Sequence, residues 1–248
     1  MHKDVQTIGF AATICVVCSL ILSLSASGLK SRIETNKTVD VKKNVLMAFG
    51  ESMTVKEGDK ERPIKGEEVY KIFEDHITEI VIDRDTGEID ESLTAAALAE
   101  KPQLDTNGLP TKLPLYLWKD DGKVTRMAFP QKGRGLWSTV YSYMAVDAKA
   151  TSIIGATFYG HKETPGLGGE CSQPWFMEQF PEKVIWEDGK YPPFEVVKGG
   201  VATRYPDGNN HAVDGISGAT ITGNGIQDFI NQYVGLYSKY FDKARDMN

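Results

Sequence analysis

Val5 to Leu29 contains no charged side chain, and Ile8 to Leu24 is dense in Ile, Val, Leu, Phe and Ala. At roughly 1.5 Å of rise per residue, about 20 such residues cross the hydrocarbon of a bilayer. In lipid every backbone polar group must be satisfied within the chain, which leaves a helix as the form for a lone segment. One N-terminal transmembrane helix is therefore expected. A cleaved leader ending at Ser25-Ala26-Ser27 is the competing reading, but the apolar run outlasts a leader's core and its start offers only Lys3 beside Asp4. The expected organisation is an anchor over 1–30, a stalk and a helical or loop extension over 31–112, and a folded domain over 113–248. Lys30, Arg32, Lys37, Lys42 and Lys43 follow the span while only Lys3 precedes it. By the positive-inside rule that bias puts the domain in the cytoplasm.

The 248 residues are enough for one good-sized core, and 41% apolar side chains supply it. A net charge of −6 with no basic block gives nucleic acid nothing to bind. Cys15 and Cys18 lie inside the apolar segment and Cys171 stands alone, so neither a disulfide framework nor a metal-ligand set is expected.

Leu29 to Ser52 reads as a stalk followed by a short helix, and Thr54 to Gly66 as a loop. Glu67 to Glu74 reads as a helix and Thr78 to Asp83 as a strand; Leu93 to Ala99 is helical by composition. Leu115 to Trp118 and Val124 to Phe129 flank the hairpin turn Asp120-Asp121-Gly122. Thr139–Val146, Ala150–Tyr159, Phe194–Val197 and Gly200–Thr203 complete the expected strands. At the C-terminal end Ile226, Phe229, Ile230, Tyr233, Val234, Tyr237, Tyr240 and Phe241 recur at helical spacing. The expected fold class is α+β, a twisted antiparallel sheet with this long helix packed on it.

Directly before that helix stands Asp214-Gly-Ile-Ser217-Gly218-Ala219-Thr220-Ile-Thr222. Unpaired N–H groups and the dipole at a helix N-terminus favour an anion, most often phosphate. Capping explains one hydroxyl there, not a string of three with two small residues between them. The string resembles the flavin-attachment motif of the covalent FMN-binding domain family. The resemblance implies FMN joined through its phosphate, as a phosphoester, to the hydroxyl of Thr220. Asp214, Ser217, Gly218, Ala219 and Thr222 would stand around it. Gly135-Leu136-Trp137-Ser138 and His161-Lys-Glu163-Thr164-Pro165-Gly166-Leu167-Gly168 match further motifs of the family, as do Leu113-Pro-Leu-Tyr116 and Val197-Lys198-Gly199.

Within the family the likeness is to the C subunits of Na+-translocating NADH:quinone reductases. The G subunit of the related Rnf electron-transport complex is the runner-up, and a membrane-anchored noncovalent flavin or ligand module the reading from another class. The resemblance implies an electron carrier of a translocase that oxidises NADH and reduces ubiquinone, passing electrons one at a time; the sequence offers neither a nicotinamide-binding glycine fingerprint nor a quinone cavity, so no substrate site of its own is expected. The resemblance also implies five partner subunits, an FAD-dependent flavin transferase for maturation, and a bacterial inner-membrane anchor with the domain on the periplasmic side, against the charge bias. An isoalloxazine ring needs a flat apolar wall and polar groups at its edge. Trp137 and Leu167 are the expected wall; Glu163, Thr164 and Gly168 are expected beside the ring or its ribityl chain. The glycines at 133, 135, 166 and 168 would permit those loops to move.

Three other patterns are set aside. Gly155-Ala156-Thr157 repeats the tripeptide of the motif but lies in an alternating strand, without the upstream Asp and Ser. His161-x-Glu163 lacks the Cys-x-x-Cys of a zinc deaminase. Gly215-Ile-Ser217-Gly-Ala219 imitates a nucleophile elbow, yet no histidine follows Ser217 in the chain.

Overall fold

The computed structural model describes residues 2–58 and 60–247. The chain divides into two compact units, Met1–Val41 and Lys42–Asn248. The first is part of one helix, α1 (His2–Ala48), the one helix among the described residues that is long and apolar enough to cross a membrane. Ile8, Phe10, Leu20, Leu22 and Leu24 are all exposed on it. Where the sequence suggests a stalk and then a new helix, α1 runs unbroken. No proline interrupts it, and the hydroxyls of Thr35 and Thr38 donate to the carbonyls of Ser31 and Glu34 four residues back. It stops at Gly50, whose positive φ of 86° only glycine adopts freely.

The second unit is built on a five-stranded antiparallel sheet in sequential order. Its strands are β3 (Ile77–Asp83), β4 (Lys112–Asp120), β5 (Lys123–Arg134), β6 (Thr139–Asp147) and β7 (Ile153–Tyr159). The β4–β5 hairpin turns at Asp121 and Gly122, both at positive φ. A hairpin of β1 (Thr54–Glu57) and β2 (Lys60–Pro63) stands where a loop is expected. Short helices α2 (Gly66–His76) and α3 (Ala95–Glu100) agree with expectation to within a few residues.

Period-two alternation gives the sheet two apolar faces. On one, Leu115, Met127, Phe129, Met144 and Phe158 pack under the long helix α6 (Thr220–Met247), which contributes Ile226, Phe229, Ile230, Tyr237 and Phe241. On the other, Tyr116, Trp118 and Tyr143 pack against Val45, Leu46 and Phe49 at the end of α1 and against Val69 and Phe73 of α2. A Cβ on Gly155 would lie 2.6 Å from the Ala48 carbonyl oxygen, so α1 ends directly on β7. Arg126 secures that end, donating to the Phe49 carbonyl and to Glu51. The compact unit thus begins at Lys42, and β3 belongs to its sheet, so residues 42–112 are integral to the domain expected to start at 113.

A short 3-10 turn (Gly168–Ser172) and α4 (Pro174–Met177) follow β7. Beyond them β8 (Glu195–Val197) pairs in parallel with β9 (Ala212–Asp214). The strand expected over Gly200–Thr203 is instead a helical turn, α5 (Val201–Arg204). Gly199 and Gly200 turn the chain at φ of 82° and 94°, and the Asp214 carboxylate accepts from the Val201 N–H at 2.6 Å, capping the turn.

Candidate functional site

β9 delivers the chain to a tight turn that opens α6. The Gly215 N–H donates to the Val197 carbonyl at 2.8 Å and the Asp214 N–H to Gln179 at 2.7 Å. Ile216 anchors the turn in the core, and its carbonyl accepts from the Ala219 N–H. Gly218 turns at φ 71°, where a Cβ would approach Leu167 Cδ2 to 2.8 Å. The first helical bond closes from Gly223 N–H to the Ala219 carbonyl at 2.9 Å. The N–H groups of Thr220, Ile221 and Thr222 therefore face out of the helix end, and Ala219 has no side-chain acceptor to cap them. Thr220 is the first residue of α6; its side chain is exposed and its hydroxyl makes no hydrogen bond among the described residues. Ser217 is exposed as well, and Ala219 is buried.

Thr222 points the other way. It lies four residues before Ile226, on the buried stripe of the helix, and its hydroxyl donates to Glu163 Oε2 at 2.8 Å. Glu163 is 5% exposed. Its carboxylate also accepts the N–H groups of Leu136 (3.1 Å), Trp137 (2.9 Å) and Ser138 (3.0 Å). Burial pushes the carboxyl pKa up, but the Thr222 hydroxyl and these backbone donors together outweigh it and hold the group below the ordinary glutamate range. The first of the three expected loop segments, 135–138, is thus tied through the second, 161–168, to the third, at the start of α6.

Glycine spacing serves this junction. A Cβ on Gly135 would lie 2.6 Å from Glu163 Oε1, and one on Gly168 would lie 2.6 Å from Thr222 Oγ1 and 2.7 Å from Glu163 Oε2. One on Gly225 would meet the Arg134 carbonyl at 1.9 Å, and one on Gly133 the Phe229 ring. Of the four glycines read as hinges, 133, 135 and 168 are there for close packing; only Gly166, at φ 75° with open space around it, has the freedom expected.

Trp137 is 71% exposed, which excludes an ordinary core tryptophan. Leu136, Leu167 and Ile221 are exposed too, and Thr164 lies at the surface with its carbonyl accepting from Leu167 and Gly169. Apolar side chains thus stand exposed on each of the three segments that form the rim of the candidate site. Sequence reasoning missed Trp175, exposed beside this loop, whose indole N–H donates to Glu170, which in turn accepts from Gly166. It missed the Glu163–Thr222 bond as well; a hydroxyl on the apolar stripe of α6 was the available signal. Cys171, fully buried beneath the loop, has its thiol pKa pushed up to about 12 by burial and stays protonated.

Residues 135–235 match the FMN-binding domain family. Over 97% of its length the chain is 30% identical to the C subunit of the Na(+)-translocating NADH-quinone reductase of Vibrio alginolyticus, covering 95% of that protein. It is 31% identical to the corresponding C subunit of Yersinia pestis, again over 97% of this chain and 93% of the relative. Among solved structures it resembles Shewanella oneidensis NqrC with a TM-score of 0.68 and 28% identity, over 84% of this chain and 97% of that one. The α+β fold and the full-length likeness agree: this chain belongs to the family of Na(+)-translocating NADH-quinone reductase C subunits.

Proposed function

We propose that this chain is an electron carrier of a membrane-bound sodium-translocating NADH:ubiquinone reductase, holding FMN by a phosphoester on Thr220. The observation that carries the reading is the state of Thr220: an exposed hydroxyl, without a hydrogen-bond partner among the described residues, on the first residue of a long helix whose preceding residue, Ala219, offers no side-chain cap. The small residues Gly218 and Ala219 precede it, so an enzyme can approach from that side, and the outward N–H groups suit a phosphate. The residues present thus fit the cofactor. Thr220 oxygen would hold the phosphate, the first turn of α6 would neutralise part of its charge, and Trp137 and Leu167 offer apolar surface to the ring. Bound there, FMN supplies a redox group able to take and give electrons singly.

Attachment follows from the chemistry of the donor. With FAD as donor, ester formation would release AMP, and Thr220 Oγ1 would hold the flavin-side phosphate in place of its own proton. Thr220 is then an anchor, and the ring remains chemically free. Ser217 and Thr164 stay at the surface as polar neighbours of the rim, and Asp214 shapes the turn by capping α5. α1 anchors the chain in the inner membrane among five partner subunits, with the domain on the periplasmic side despite the lysines that follow the span.

Co-expression with the transferase followed by a denaturing gel tests this directly. A band fluorescent after boiling in detergent is the expected result. A dark band in the presence of active transferase would overturn the covalent assignment. Sidedness is checked by protease added outside intact spheroplasts, which should cut the domain.

A further inference from the structure

We propose that Glu163 is a positioning residue: its buried carboxylate locks the exposed Trp137 loop onto the helix turn that carries Thr220, so that the two halves of the flavin rim move as one piece. The proposal rests on the reading of Thr220 as the attachment point. Its geometric part stands on the protein alone.

The argument is one of hydrogen-bond supply. An ionised carboxylate only accepts, through two oxygens. Here Oε1 takes the N–H groups of Trp137 and Ser138, and Oε2 takes the Leu136 N–H and the Thr222 hydroxyl. Among the described residues its four donors all belong to this chain, and the group is buried. Three successive N–H groups converging on one carboxylate fix the backbone of 136–138 and so the direction in which Trp137 leaves it. The fourth donor stands two residues after Thr220 on the first turn of α6. Gly135 and Gly168 are the consequence, because a Cβ at either would collide with this carboxylate. Ser138 adds a further tie, its hydroxyl accepting the Lys162 N–H at 2.7 Å.

An amide cannot replace the carboxylate. In Glu163→Gln one oxygen is lost as an acceptor, and the new NH2 faces the Leu136 N–H, donor against donor. Thr222→Val removes the link to α6 while leaving the loop N–H groups paired; Thr222→Ser keeps it. Amide hydrogen exchange on the unloaded full-length protein in detergent should show residues 136–138 exchanging about tenfold faster or more in Glu163→Gln, the size expected for a lost charge-assisted bond. Thr222→Val should loosen the start of α6, and Thr222→Ser should restore wild-type protection. Wild-type protection of 136–138 in Glu163→Gln would overturn the proposal. Should that variant fail to fold, Thr222→Val against Thr222→Ser decides: equal protection in the two overturns it.

Visible circular dichroism of the transferase-loaded proteins provides the readout that a mere scaffold would not move. The flavin bands should change in Glu163→Gln and Thr222→Val and return in Thr222→Ser. Unchanged bands in loosened variants would contradict a positioning role. Peptide mapping keeps the two readings apart, since flavin on a residue other than Thr220 would sink the attachment reading and leave the exchange result standing.

Discussion

The chain contains Gly-Ala-Thr twice, and the two copies have opposite fates. Gly155-Ala156-Thr157 lies in β7, where Thr157 is 2% exposed and donates to the Asn44 carbonyl at 3.3 Å. Gly155 is there because the Ala48 carbonyl oxygen occupies the space of a Cβ. Gly218-Ala219-Thr220 lies at the start of α6, where the glycine makes a left-handed turn and the threonine hydroxyl is open to solvent. In the strand, small residues admit the end of a neighbouring helix; in the turn, they leave room around an oxygen. Three identical residues hold structure together in one place and expose a reactive group in the other, and only the surrounding elements decide which.

The largest expected effect separates the two threonines outright. Thr220→Ala should abolish flavin fluorescence in a denaturing gel while changing stability by no more than about 0.5 kcal/mol, because its side chain is exposed. Thr157→Ala should keep full fluorescence. The glycines should rank in the reverse order. Gly155→Val should cost about 2–3 kcal/mol in urea unfolding, because the obstacle is backbone and α1 would have to leave the sheet. Gly218→Ala should cost about 1 kcal/mol, from the left-handed turn and the crowding of Leu167, whose tip can swing aside. A smaller effect sharpens the account of the turn through pH. The depressed pKa of Glu163 stabilises the fold fully above the ordinary glutamate range; that stabilisation fades as pH falls through the lowered folded value. Urea midpoints against pH should therefore drop in mild to strong acid, and Glu163→Gln should flatten that limb.

Much of this was legible beforehand for reasons that can be named. Alternation in β4 to β7 and the helical spacing of α6 are local signals, and burial follows from them directly. The motif at 214–222 is a contiguous string, readable without any tertiary knowledge. The parallel β8–β9 ribbon was not, since its second strand, Ala212–Asp214, is three residues long and its partner lies beyond α5. Equally hidden was the continuity of α1, because the polar stretch after Leu29 reads as a stalk until its helical hydroxyl bonds are seen. Glu163 shows the limit best. As a sequence, His161-x-Glu163 looks like a solvent-facing polar pair or a ligand contact. Its burial and its bonds to residues 136, 137, 138 and 222 exist only after the sheet and α6 are assembled.

The most direct test of the central claim is to digest the fluorescent protein and locate the flavin by mass on its peptides. The account predicts FMN on the peptide containing Thr220, with fragmentation placing it on that residue and none on Ser217 or on the peptide bearing Thr157. Flavin on either of those residues, or a protein that loses all its flavin on denaturation after verified loading, would contradict it.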